Sequence, residues 1–90
     1  MKLVWDEAKR QETLRKRGLD FADAAKVFAT SYMEFDDDRF DYGEQRYILF
    51  GFLDSRAVAM VWTPRDNSRR IISMRHVHEE EFEARRKALD

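Results

Sequence analysis

Residues 46–76 read RYILFGFLDSRAVAMVWTPRDNSRRIISMRH. Two apolar, β-rich runs, Arg46–Leu53 (RYILFGFL) and Arg56–Thr63 (RAVAMVWT), are separated only by Asp54–Ser55. That spacing predicts a hairpin, although Asp-Ser is a weaker turn pair than Asn-Gly. Pro64–Ser68 (PRDNS) is a turn by composition, and Arg69–His76 (RRIISMRH) returns as another strand. Strands joined this tightly pair as neighbours, so 46–76 predicts an antiparallel meander. Tyr32, Met33 and Phe35 extend it by a fourth strand, reached through an acidic loop at 36–45 that contains Gly43.

Outward from the meander the periodicity changes. After a short extended start at Lys2–Val4, Trp5–Asp6 places an apolar residue before an N-cap, and helix formers continue to Gly18. This predicts a first helix over 6–17. Phe21, Ala24, Ala25 and Phe28 recur at i, i+3, i+4 and i+7 behind Asp20, predicting a second helix over 21–29 whose stripe is core. At the other end, Glu79, Glu80, Glu81 and Glu83 precede Arg85, Arg86 and Lys87, a charge order that suits the dipole of a closing helix. Two N-terminal helices, an antiparallel β-meander of three to four strands and a C-terminal helix make the class α+β. Residues 1–90 are read as one domain, since a chain of this length has room for one core.

With 17 Lys+Arg against 18 Asp+Glu, the formal charge is −1, although 39% of the residues are charged. The total conceals an asymmetry: residues 1–45 sum to −3 and residues 46–90 to +2. Arg65, Arg69, Arg70 and Arg75 form a basic strip, while Glu34, Asp36, Asp37, Asp38 and Asp41 form an acidic patch. That patch reads either as a solvated turn or as a docking surface for a basic partner segment. The absence of cysteine excludes a disulfide framework, a thiol nucleophile and Cys-based zinc sites, and suits a reducing, cytoplasmic location. No apolar run approaches the ~20 residues of a membrane span, so no membrane partner is expected. With 43% hydrophobic residues, the chain is also too apolar to be a disordered tail.

Several blocks resemble a known family. Trp5-Asp6-x-x-Lys9, followed by Leu14-Arg15-Lys16-Arg17-Gly18-x-x-Phe21-x-x-Ala24-x-x-Val27-Phe28, is similar to the N-terminal half of the BrnT toxins of BrnT–BrnA type II toxin–antitoxin systems. Gly43-Glu44-x-Arg46, Gly51, Thr63 and Arg70-Ile71-Ile72-Ser73-x-Arg75 continue the likeness in order. The resemblance implies a RelE-like fold and a ribonuclease that cleaves RNA without metal or cofactor and slows translation and growth. It also implies neutralisation by a ribbon-helix-helix antitoxin in a heterotetramer of two toxins and two antitoxins, with operator DNA contacted only through the antitoxin. Family members commonly have histidine where this chain has Arg17, and a guanidinium cannot replace an imidazole in proton transfer at neutral pH. A catalytically weak module that only binds the antitoxin is therefore the second reading.

Cleavage of this kind sets the 2′-hydroxyl against the adjacent phosphorus. It needs a proton acceptor, a proton donor and cations for the developing charge. Arg46 and Arg75 are candidate clamps, because a guanidinium fork matches phosphate oxygens. Arg46, Arg65, Arg70 and Arg75 are expected near one end of the sheet, with side chains at 69, 71, 73 and 75 on one face, so that Ser73 joins Arg75 at the substrate. Arg65 adds a phosphate contact from its turn. Glu44, His76 and His78 are the candidates for proton transfer; Glu44 needs a raised pKa for that role, or else orients an arginine. The plainer readings are a structural Glu44–Arg46 ion pair and surface histidines. A metal-dependent hydrolase has only His76, His78 and scattered acids behind it, and no metal site is expected. Tyr42, Tyr47 and Trp62 are able to stack bases, but Tyr47 and Trp62 read first as core. Lys9, Lys16 and Arg17 lie on a helix where solvated surface is the default; under the resemblance, Lys9 and Lys16 share a face flanking the RNA, with Arg17 beside them.

Overall fold

Asp6 starts the first helix by direct chemistry. In the computed structural model, which describes residues 1–89, its carboxylate accepts the Ala8 and Lys9 amides at 2.9 and 3.4 Å, donors that the first turn leaves without partners. Helix α1 (Glu7–Arg17) ends at Gly18, whose φ of 68° lets its amide close on the Leu14 carbonyl. Strand β1 (Lys2–Trp5) precedes it.

The expected second helix over 21–29 is replaced by a 3₁₀ turn at Phe21–Asp23 running into a short α2 at Ala24–Phe28. Asp20 caps the Ala22 amide, and its carbonyl takes the Asp23 amide three residues on, so the segment winds tightly from its start. The buried positions become Phe21, Ala24 and Val27, three apart, while Ala25 is exposed. The stripe is core as expected, with its phase shifted by the tighter winding.

Strands β2 (Met33–Asp36), β3 (Tyr47–Leu53), β4 (Arg56–Arg65) and β5 (Ser68–His76) form the antiparallel meander, and α3 (Glu79–Ala88) follows. Asp54 and Ser55 both adopt positive φ, 50° and 70°, the left-handed pair that a tight two-residue hairpin requires. The chain from Pro64 to Ser68 is less of a turn than its composition implies, because β4 runs on through Arg65 and β5 begins at Ser68. The sheet has five strands in the order β1-β5-β4-β3-β2, and it is mixed, since β1 pairs parallel with β5 from Lys2 opposite Ser68 to Trp5 opposite Ile71. That addition corrects the expectation of three to four antiparallel strands. A four-residue strand whose partner is most of a chain away leaves no local pattern.

Each face of the sheet is covered differently. Leu19, Phe21, Ala24 and Val27 pack on Leu49, Met60, Trp62, Ile71 and Met74. Gly51 makes this close approach feasible, because a Cβ there would lie 3.0 Å from Val27 Cγ1. The opposite face buries Ile48, Phe50, Ala59 and Val61, with Phe35, Ile72 and the α3 residue Phe82 packed against them.

A bulge in β5 decides which side chains reach which face. Val61 pairs with Ser73 and Trp62 with Ile71, leaving Ile72 extra. Ile71 and Met74, an odd three residues apart, therefore both enter the helix-side core. The expectation that 69, 71, 73 and 75 share a face is corrected accordingly. Arg69 stacks on Phe28 on the helix side, 3.9 Å from the ring centroid, whereas Arg75 meets Glu81 of α3 on the other.

Candidate functional site

The loop joining β2 to β3 is organised by one buried carboxylate. The Asp37 amide donates to the Arg46 carbonyl at 2.8 Å, closing the loop's neck. Its side chain, only 1% exposed, accepts Arg39 Nε and Nη2 at 2.7 and 2.9 Å and the Tyr42 hydroxyl at 3.4 Å. These bonds aim Arg39 and Tyr42 over the α3 face of the sheet. The Arg46 guanidinium lies 4.0 Å from the Tyr42 ring centroid, a cation–π stack.

Glu44 ties two arginines together. Its Oε2 accepts Arg46 Nε at 2.9 Å and its Oε1 accepts Arg65 Nη2 from β4 at 2.9 Å. The hydrogen bond from Arg46, with Arg65 beside it, holds the Glu44 carboxyl below the usual glutamate range. Glu44 is thus an anion at neutral pH that orients two guanidinium forks. The Thr63 hydroxyl fixes the same corner by donating to the Gln45 carbonyl at 2.6 Å.

Arg75 shares this face but not this end of the sheet. Phe50, Ala59 and Arg75 form one cross-strand row, whereas Arg46 lies just before the row of Tyr47, Trp62 and Ile71. Four residues of β3 separate Arg46 from the Arg75 row, about 14 Å at ~3.4 Å per residue. Antiparallel pairing explains this correction: the start of β3 meets the end of β4 and the start of β5, so Arg46, Arg65 and Arg70 cluster while Arg75 sits at the far end. Arg75 donates to both oxygens of Glu81 at 3.0 and 2.6 Å. Those bonds raise its pKa, while its burial and the nearby charge of Arg39 oppose the rise.

The remaining expected residues lie elsewhere, along the open edge of β5. Lys9, Lys16, Arg17 and Ser73 line a shallow cavity of about 290 Å³ between α1 and that edge, with Lys16 paired to Glu12 at 3.1 Å. Arg17 Nη1 donates to the Met74 carbonyl at 2.6 Å, serving an acceptor beyond the reach of β1. His76 Nε2 lies 3.2 Å from the Arg17 carbonyl, which only accepts, so that nitrogen carries the proton in this contact. The nine expected residues therefore occupy three places: Glu44, Arg46 and Arg65 in one corner; Arg75 under α3; and Lys9, Lys16, Arg17, Ser73 and His76 at the α1 edge. Trp62 is buried and Tyr47 packs against the helix-side core, as their plainer reading held.

Arg39, Asp37 and Glu81 were not singled out by sequence as site residues. Arg39 had a signal, since it is the sole cation in the acidic loop. The other two were lost among neighbouring acids. Most acids of the 34–41 stretch are already engaged: Glu34 accepts from Trp62 Nε1 of β4 at 2.9 Å, Asp36 from Gln45 at 3.3 Å and Asp41 from the Gly43 amide at 3.0 Å.

Five carboxylates with lowered pKa, Asp20, Asp37, Glu44, Glu81 and Glu83, owe the shift first to arginine hydrogen bonds. A depressed folded pKa stabilises above the unfolded value, near 4, and that stability disappears as pH falls through the folded one. Unfolding should therefore become easier below about pH 4, and Asp37→Asn should flatten this acid limb, as read from urea midpoints at pH 3 and 7. An unchanged limb would remove Asp37 from this role.

A family model described as the ribonuclease toxin BrnT of type II toxin–antitoxin systems matches residues 5–81. The chain belongs to the BrnT family. A search of curated proteins finds no match. The BrnT span runs from Trp5 to Glu81 and so takes in the whole arginine face, from the Asp37 loop to the Glu81 contact. Membership makes this a ribonuclease toxin family chain with an antitoxin partner. Among the described residues no cluster of three or more His, Asp and Glu is placed to hold a metal ion, and no helix is long and apolar enough to cross a membrane.

Proposed function

We propose that the arginine-bearing face of the sheet binds and cleaves RNA without a metal, with Arg46 as the principal phosphate clamp. The observation that carries this reading is the Arg46–Glu44–Arg65 arrangement, in which one ionised carboxylate presets two forks. Prepaid orientation of this kind stabilises charge in a transition state without reorganisation. The reaction is attack of the ribose 2′-oxygen on the adjacent phosphorus. The O2′–P bond forms, the P–O5′ bond breaks, and the proton lost from O2′ is balanced by one delivered to O5′. The products are a cyclic phosphate and a 5′-hydroxyl. Arg46 and Arg65 hold the phosphorane oxygens, and Arg39 and Arg75 guide the flanking phosphates. Glu44 is too acidic to be an efficient proton shuttle near neutrality and serves as the orienting group. His76 sits one residue beyond Arg75 at the α1 edge, out of reach of a phosphate held by Arg46, so the protons at O2′ and O5′ are exchanged with water.

The family resemblance in the WDxxK and RIISxR blocks supports the finer features: a RelE-like scaffold, a ribbon-helix-helix antitoxin in a two-plus-two complex, operator DNA reached only through that antitoxin, inhibited translation, and action in the cytoplasm. With a net charge of −1, RNA affinity should be modest and strongly salt-dependent. The test incubates the purified chain with messenger RNA, with and without a chelator. Cleavage in both arms, and growth arrest on expression without the antitoxin, are the expected results. Intact RNA and normal growth would leave the second reading, a binding module, which the engagement of Arg17 with Met74 and of Arg75 with Glu81 favours.

A further inference from the structure

The β3–β4 hairpin and the first half of α3 enclose an open cavity of about 390 Å³ at the end of the sheet opposite Arg46, with His76 on its wall. Its floor is apolar: Phe52 and Phe82 stack with ring centroids 4.9 Å apart, and Ala57 and Val77 complete it. Phe52 is 38% exposed, a large aromatic left half uncovered on a regular strand. The rim is charged asymmetrically, with Arg56 on the hairpin side and Glu79 and Glu83 on the helix side.

Charge selects the occupant. Glu83 is paired with Arg86, but Glu79 and Glu80 make no hydrogen bond or ion pair among the described residues. Three glutamates in the first turn of α3 suit the helix dipole and at the same time repel a polyanion or an anionic membrane. The acids of the 34–41 loop, the other possible basic-partner surface, are mostly satisfied internally.

Resting on the family reading that the chain has an antitoxin partner, we infer that this groove docks an amphipathic segment of the antitoxin. That segment places a large apolar side chain against Phe52 and Phe82, Lys or Arg toward Glu79 and Glu80, and a carboxylate toward Arg56. A segment seated there also braces α3 from outside. Since Glu81 of α3 holds Arg75, docking keeps that guanidinium covered while leaving the Arg46 end of the face open.

The test measures affinity for the antitoxin co-expressed from the toxin's own operon, by calorimetry, for the wild-type chain, Phe52→Ser and the double variant Glu79→Arg/Glu80→Arg. Both variants should bind at least ~10-fold more weakly, the loss expected for a central anchor or a reversed charge pair. Both should still cleave RNA when the antitoxin is absent. The exposed double reversal guards against Phe52→Ser acting through a loosened α3. Unchanged affinity in both variants overturns the groove, and tighter binding by the charge reversal overturns a basic occupant. Lost RNA cleavage in the antitoxin-free chain points to RNA instead, and a wild-type dimer broken by Phe52→Ser points to a second copy; either overturns the proposal. If the wild-type chain forms no complex with the antitoxin, the family reading itself fails, and the proposed occupant with it.

Discussion

Arg46→Ala should lower the rate of RNA cleavage by about 100- to 1000-fold, the cost typical of removing one preset donor to a developing oxyanion. Two features make Arg46 the largest single loss. It is fixed on both sides, by Glu44 at 2.9 Å and by the Tyr42 ring at 4.0 Å, so its orientation needs no reorganisation during reaction. Its loss also releases Glu44, which would then hold only the more exposed Arg65. Arg46→Lys should recover little, because an ammonium cannot hold Glu44 and a phosphate in one planar fork. Single-turnover cleavage at saturating RNA measures the chemical step, and growth on expression gives the cellular counterpart. A variant within threefold of wild type in both would move the site elsewhere.

Phe50→Ala should be the most damaging change to stability, at about 3–5 kcal/mol. Phe50 is fully buried, meets Phe35 edge-on at 6.0 Å and lies beneath the Arg85 guanidinium at 4.9 Å. It is the floor on which α3 rests, and α3 buries no residue fully of its own. For a domain whose total stability lies at ~5–15 kcal/mol, such a loss approaches global unfolding. The urea midpoint should drop by about 2 M at a typical slope for small proteins. A drop below about 0.5 M would mean that α3 settles into the space and compensates.

The elements that sequence made legible are those whose signal is local. Asp6 and Gly18 bound α1, and Asp54–Ser55 closes a hairpin, because each acts on backbone groups within a few residues. The strand β1 was only a short extended start, since its partner is supplied at the other end of the chain. The bulge was invisible for a different reason: Ile71 and Ile72 are identical in chemistry, so alternation offers no clue to which faces the helices. That single extra residue put Arg75 on the α3 face, and antiparallel pairing set it at the end of the sheet opposite Arg46. Within the site, Glu44 with Arg46 was readable as a pair two residues apart. Asp37 as an organising anion and Glu81 as a cover for Arg75 were not, because their importance lies in burial and in contact across the sheet.

The pairing of β1 with β5 has a further effect on how the chain comes into being. Lys2 can find Ser68 only after nearly all of the intervening sequence has been synthesised, so the first strand waits on the ribosome for the last. Contacts this distant in sequence form late and slowly. Arg39, Arg46, Arg65 and Arg75 likewise come from successive stretches and share a face only once the meander has closed. A face built this way is complete only near the end of translation, and a chain still on the ribosome lacks it.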